Sequence, residues 1–340
     1  MESVWPTGSV SFTSMMDQAS IELPALVRKN LRQWDVPKDA DIALLTISEN
    51  ATFVIKWAMT KRIIRVYRPY YHTNSEILSE LLWLQAIEQS GIVPVPHLFH
   101  SNTGELFVED KSLRLACFSF IEGHEPRTDN DLVRWFTLLG NISARLHQQS
   151  MGWKKPKDFT RKHWTYETML GKNASWGNWQ NVNGLSLANR KILEQCDATL
   201  KHISRAFLKD EAHFGLIHGD LRLANLLVKG KNLAAIDFDD CGFSWFGLDL
   251  ANSLSFIEDH PLVPALIDAW FQGYGQVMPV QNDVKDMVPH LMMMRRMQLT
   301  AWLTTHNTTP TAKKLGASFP VGTVKLAKTY LEMFNPLGVR

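Results

Sequence analysis

The chain is poor in cysteine: Cys117, Cys196 and Cys241 are spread over 340 residues, with no C-x-x-C pair. That speaks against a disulfide framework and a cysteine zinc site, and it fits a reducing cytoplasm. Long apolar runs are lacking as well. No stretch reaches the ~18 apolar residues of a membrane-spanning helix, and the run around Leu291–Met294 is broken by Arg295 and Arg296. No membrane partner is expected. Residues 1–20 are polar with no apolar centre, so they read as an N-terminal extension and not as a secretory signal. An excess of one charge is missing too. Lys and Arg number 36 against 34 Asp and Glu, and the clusters at Lys154, Lys155 and Lys157 and at Lys313–Lys314 form no stripe. A nucleic-acid partner is therefore not expected.

What is present has the makings of a globular enzyme. Hydrophobic residues make up 45% and charged residues 21% of a chain too long for one ordinary core, which points to two lobes. Helical spacing over Ile21–Trp34 gives way to period-2 alternation in Asp41–Ser48, Ala51–Trp57 and Lys61–Tyr67. Asn74–Ser90 reads as a helix ended by Gly91, and His97–His100, Leu106–Glu109 and Arg114–Ile121 as further strands. Beyond Asp129 the pattern is helical: Leu132–Gln148, Leu185–Leu208, Leu248–Ile257, Leu262–Gly275, Val284–Thr304 and Val324–Phe334. Gly152–Asn183 holds four tryptophans with little periodicity and reads as a long insertion or loop. The expected class is α+β, with a small β-rich N-lobe over residues 21–121 and a larger α-helical C-lobe over 122–340. A cleft between such lobes is a natural ligand site.

One strand-and-loop island, His213–Phe243, interrupts the helical part, and it carries the chemistry. Asp220 follows an apolar run and precedes Asn225 by five residues; Asp237 comes twelve residues later, after a second apolar run. Gly230 between the runs predicts a hairpin that brings their ends together. Asn225 and Asp237 could then face one cation, with Asp220 across the loop. Hard oxygen donors of this kind suit magnesium, and a carboxylate outside that shell can accept a hydroxyl proton. These are the parts of a phosphoryl-transfer site, where positioning and charge neutralisation dominate. A lone His-Gly-Asp is a common turn; the information lies in the two segments together, in order, at this spacing.

Leu216-Ile-His-Gly-Asp-Leu-Arg-Leu-Ala-Asn225, Ile236-Asp-Phe-Asp-Asp-Cys-Gly242 and Gly247-Leu-Asp249 resemble the aminoglycoside phosphotransferase and choline kinase superfamily of protein-kinase-like fold. The middle motif is most similar to the branch of type II homoserine kinases and RdoA-type stress-response kinases. The resemblance runs from about Ile42 to about Tyr274. It implies an ATP-dependent kinase, with ATP and Mg2+ as cofactors and a hydroxyl of a small molecule as acceptor: an amino alcohol, amino acid, sugar or antibiotic. A bacterial Ser/Thr protein kinase and an inactive kinase-like binding module are the alternatives. Intact Asp220, Asn225 and Asp237 argue against the last.

The resemblance also distributes roles. Asp220 is implied as the catalytic base, and Asn225 and Asp237 as metal ligands. Arg65 on the third strand and Glu80 on the first long helix are implied as the nucleotide-gripping pair. Phe118–Gly123 resembles the hinge that receives adenine, through Ser119 and Ile121. His218 is implied to shape the catalytic loop, Asp249 to brace it, and Asp239 with Asp240 to support metal or substrate contacts. The chain departs from protein kinases at Ser48–Thr52, which has no G-x-G-x-x-G pattern. Asn50 is a candidate to contact phosphate instead. Cys241–Arg340 carries eight basic and seven acidic residues, which gives no support to a polycationic acceptor. Acceptor choice is expected from the Trp-rich stretch Trp153–Trp179 and the helices after Leu248, with Trp245 as one candidate wall.

Overall fold

The computed structural model describes residues 22–47, 50–126, 131–307 and 309–335. The N-terminal extension, and the hairpin turn at Ser48 and Glu49, lie outside the described residues. The chain divides into two compact units. The first runs to Tyr71 and adds Phe99–Ser119 and Thr305–Lys314; the second comprises His72–Leu98, Phe120–Thr304 and the chain from Leu315 on. The boundary at Ser119 and Phe120 falls inside the connector expected at Phe118–Gly123. Two segments lie outside a single cut after residue 121: the helix at Asn74–Ser90 groups with the second unit, and 305–314 with the first.

The first unit is an antiparallel sheet covered by a helix. Strands β1 (Asp41–Ile47), β2 (Ala51–Trp57) and β3 (Thr60–Val66) form a meander, and β6 (Leu113–Ser119) pairs with β3. Two short strands, β4 (Leu98–Phe99) and β5 (Val108–Asp110), complete the order β1-β2-β3-β6-β4, with β5 also on β6. Helix α1, residues 22–30, tightens into a 3-10 turn at Leu31–Trp34 and stops at Asp35, whose φ is 54°. Its apolar side, Leu23, Val27, Leu31 and Trp34, is buried against Phe53, Ile55, Ile64, Leu115 and Cys117. Alternation puts every second strand residue on that face, which is why the period-2 signal was readable.

The second unit is helical around two small sheets. Helix α2 (Asn74–Ser90) opens on a capping box, Thr73 with Glu76, and closes on Gly91 at φ 65°. Helix α3 (Leu132–Gly152) packs on α7 (Val263–Gly275) so closely that a Cβ on Gly140 would lie 1.9 Å from the Trp270 carbonyl, and one on Gly273 1.8 Å from that of Thr137. Between them in sequence come α4 (Tyr166–Met169), α5 (Leu187–Ser204) and the buried α6 (Gly247–Ser253). The chain ends in α8 (Asn282–Thr305) and α10 (Ser318–Phe334), while α9 (Pro310–Leu315) between them falls almost wholly in the segment that groups with the first unit. Helix α9 has no counterpart among the expected elements, and α10 starts six residues before its expected start at Val324.

The Trp-rich stretch is less loose than its lack of period implied. Trp164, Trp176 and Trp179 are buried. Tyr166 Oη and Trp179 Nε1 both donate to Asp197 on α5, at 2.7 and 3.1 Å. Strands β7 (Phe214–Ile217) and β10 (Gly242–Trp245) pair antiparallel, and Lys162–Trp164 joins them through Phe243 N–H to Lys162 O and Trp164 N–H to Phe243 O, each 2.8 Å. Trp245, expected as a possible acceptor wall, is 1% exposed and donates to Leu208 O, so it is a core residue.

Candidate active site

Strand β7 delivers His218, Gly219 and Asp220 into a loop whose shape is fixed from below by Asp249. Gly219 has φ 84°, and a Cβ there would meet the Asp240 carbonyl at 2.1 Å, so only glycine fits. Asp249 is fully buried on α6; its carboxylate accepts from Gly219 N–H at 3.0 Å, His218 N–H at 3.2 Å and His147 Nε2 at 3.0 Å. Burial alone would raise its pKa, but those hydrogen bonds turn the net shift downward and hold it ionised. Asn252 Nδ2 donates to Gly219 O, and Ser253 Oγ to Leu221 O.

His218 is buried and neutral by construction. Its Nδ1 accepts from Asp220 N–H at 3.3 Å, so Nε2 carries the proton and donates to Ile236 O at 3.1 Å. Burial depresses its pKa against the pull of the nearby carboxylates. The ring lies 4.4 Å from Phe238, which carries the constraint on to the next segment.

The hairpin expected at Gly230 is present, as β8 (Leu226–Lys229) and β9 (Asn232–Ala235). Its register ends with Ile236 N–H on Asn225 O at 3.0 Å, which sets Asp237 one residue beyond Asn225's partner. Asn225 donates Nδ2 to Asp220 O at 2.8 Å and to Asp220 Oδ2 at 2.9 Å. With the amide protons so used, its carbonyl oxygen is the atom left to act as a ligand. Asp237 is exposed and holds φ 65°, a left-handed backbone that aspartate tolerates at some cost. An amide oxygen and an exposed carboxylate are a donor set that fits a hard divalent cation.

Asp220 keeps a side-chain exposure of 15%. Its Oδ2 also accepts from Arg222 Nε at 3.1 Å, and its Oδ1 from Arg295 Nη2 at 2.7 Å. Arg295, on α8, was noted in the sequence only as a break in an apolar run. The signal for it was an arginine on a helix too apolar to leave one unpaired.

Arg161 was missed in the same way. This fully buried guanidinium donates to the backbone carbonyls of Glu76, Cys241 and Asp239. It thereby fastens α2 to the segment after Asp237. Glu80, 1% exposed, lies on the same helix within electrostatic reach of Arg161. Asp239 is buried with His72 Nε2 3.5 Å from its Oδ1, and His72, Asp239 and Asp240 could together hold an ion. Arg161 and Lys162 already supply positive charge there; burial lowers the Lys162 pKa to about 8 against the pull of Asp240, Asp239 and Glu76.

Of the remaining candidates, Arg65, Asn50 and Ser119 belong to the first unit and Ile121 to the second. Arg65 sits mid-strand on β3, opposite Thr52 and Ala116, with its guanidinium 5.4 Å from the Phe118 ring. Asn50 is buried and its Oδ1 accepts from Arg68 N–H at 2.9 Å. Ser119 ends β6 opposite Arg62, and Ile121 follows in the second unit. The chain then pairs with the hairpin: His124 and Val228 exchange both backbone hydrogen bonds, at 2.9 and 3.1 Å.

Residues 45–282 match the phosphotransferase enzyme family. Amicoumacin kinase of Bacillus subtilis strain 168 is 22% identical over 229 residues, 66% of this chain and 65% of that protein. The chain thus spans a little under two thirds of the length of the curated relatives it matches. Among solved structures, a microcompartment-associated aminopropanol kinase is 32% identical with a TM-score of 0.83, over 91% of this chain and 98% of that one. An amicoumacin kinase in complex with AMP-PNP, Ca2+ and Ami shares the fold at 18% identity and a TM-score of 0.76, over 94% and 96%.

Proposed function

The chain belongs to the phosphotransferase enzyme family, with a protein-kinase-like α+β fold, and from that premise we infer that it moves the γ-phosphate of ATP to a hydroxyl of a small molecule. The carrying observation is the junction of Asp220 with Asn225 across the loop after β7, next to the exposed Asp237. Asp220 is assigned as the base: the acceptor oxygen bonds the γ-phosphorus, the bond to the β-phosphate oxygen breaks, and the hydroxyl proton goes to Asp220. Asn225 and Asp237 are assigned to hold magnesium, which when bound neutralises phosphate charge. The AMP-PNP and Ca2+ in the similar amicoumacin kinase support a nucleotide and a divalent cation here. Arg65 and Glu80 are assigned to grip the nucleotide. The backbone at Ser119 and Ile121 is assigned to adenine. Asn50 offers only its amide N–H groups to phosphate, since its oxygen is on Arg68.

The aminopropanol kinase similarity makes an amino alcohol the first acceptor to try. The near balance of eight basic and seven acidic residues beyond Cys241 supports a small acceptor over a polycationic one. The test is Mg-ATP turnover against aminopropanol, other amino alcohols, amino acids, sugars and aminoglycosides. Turnover with at least one alcohol should fall by about 10²–10⁴ in Asp220→Asn, with nucleotide affinity nearly unchanged. Undiminished turnover in that variant rules out the base.

A further inference from the structure

Arg295 reaches Asp220 from 75 residues further along the chain, and each arm of its guanidinium is occupied. Nε donates to Ser255 Oγ at 3.1 Å, Nη1 to Gln298 Oε1 at 3.2 Å and Nη2 to Asp220 Oδ1 at 2.7 Å. The guanidinium carbon lies 4.7 Å from the Trp176 ring, which itself packs edge-on against Trp164 at 5.8 Å. Trp164 in turn donates to Asp240 O. The Arg295 side chain is 4% exposed, so the group is built into the fold. A guanidinium held on three arms and one face has no freedom to follow a mobile partner; it imposes a position.

A carboxylate offers about four lone-pair sites. On Asp220, Oδ2 receives Asn225 and Arg222, and Oδ1 receives Arg295 alone. The remaining acceptor direction is on Oδ1, the oxygen that Arg295 fixes. The second cation, the buried Arg295, exceeds what stability asks for, because a buried ion pair is poor stabilisation relative to apolar packing.

We propose that Arg295, held by Trp176, is a positioning residue for the transfer: it locks the rotamer of Asp220 and aims the open direction of Oδ1 at the acceptor hydroxyl. This rests on the assignment of Asp220 as the base. It gives the Trp-rich stretch a defined part in the reaction, through Trp176 and Arg295 to the accepting oxygen. A misplacement of that oxygen by about 1 Å is enough to cost on the order of 10²-fold in rate.

A double-mutant cycle on the full chain tests it, with phosphate transfer from Mg-ATP to aminopropanol as the readout, or to water if aminopropanol is not accepted. Arg295→Gln should lower kcat by about 10–10²-fold and leave KM for Mg-ATP unchanged. Arg295→Lys should recover only part of the loss, since an ammonium cannot fill three fixed arms. In the Asp220→Asn background, Arg295→Gln should cost less than about 3-fold, because the group it positions is gone. An equal loss in both backgrounds, or unchanged kcat in Arg295→Gln, overturns the proposal. If Arg295→Gln does not fold, Trp176→Leu replaces it, with a smaller kcat loss expected in the Asp220 background only and no loss as the contrary result. Undiminished turnover in Asp220→Asn alone fails the base assignment instead, a separate outcome.

Discussion

Asp237 and Asp249 lie twelve residues apart and are treated in opposite ways by the fold. Asp249 is fully buried and accepts hydrogen bonds from three donors, two of them backbone amides of the loop that carries Asp220. Asp237 is exposed, on a backbone at φ 65°. A buried carboxylate with matched donors is a structural part, and its removal orphans the donors. An exposed carboxylate on costly backbone is worth keeping when a ligand uses it. The two motifs look alike in sequence, as an aspartate beside apolar residues. Burial separates the residue that builds the loop from the one we assign to the cation.

The largest effect should come from the buried member. Asp249→Ala should lose about 3–5 kcal/mol of stability, the scale for breaking a buried ionic network, and chemical denaturation would read it. Gly219→Ala should cost about 3 kcal/mol, combining a strained φ and a clash with the Asp240 carbonyl, each worth roughly 1–3 kcal/mol. A wild-type denaturation midpoint in Gly219→Ala would mean that the loop is not held as described.

The smallest effect concerns His72, beside Asp239 and Glu76. Burial lowers the His72 pKa, but those carboxylates raise it more, to a net value above 6.5. Its contribution is therefore full below 6.5 and fades as pH rises through the folded value. Glu76 is depressed from 4.5 to about 2, despite burial, by His72, whose Nδ1 lies 3.8 Å from its Oε2, and by the hydrogen bond from Thr73 N–H, so its share fades as pH falls toward 2. The Tm gap between wild type and His72→Gln should be widest between about pH 4.5 and 6.5, at roughly 1–3 °C, and should close by pH 9. A gap that widens above pH 7 contradicts the charge assignment.

Legibility followed the distance over which each contact is made. His218-Gly-Asp220, Asn225 and the Gly230 hairpin are contiguous, so spacing alone announced them. The β1–β3 meander announced itself by alternation. Arg295 and Arg161 reach the site from 75 and about 80 residues away, and no local period marks such a partner. The Trp-rich stretch had little periodicity because its order comes from outside, through Asp197 on α5 and Phe243 on β10. Trp245, a plausible wall in sequence, is a core residue because β10 pairs with β7 and its indole donates to Leu208 O, partners likewise distant in sequence.

The most direct test of the central contrast is a Mg-ATP titration of Asp237→Ala, followed by calorimetry alongside a thermal scan without nucleotide. The variant should melt within a degree or two of wild type and lose magnesium-dependent ATP binding and turnover together. Unchanged Mg-ATP affinity with a collapsed melting temperature would contradict the account: Asp237 would then be a structural residue, and the cation would have to be held elsewhere.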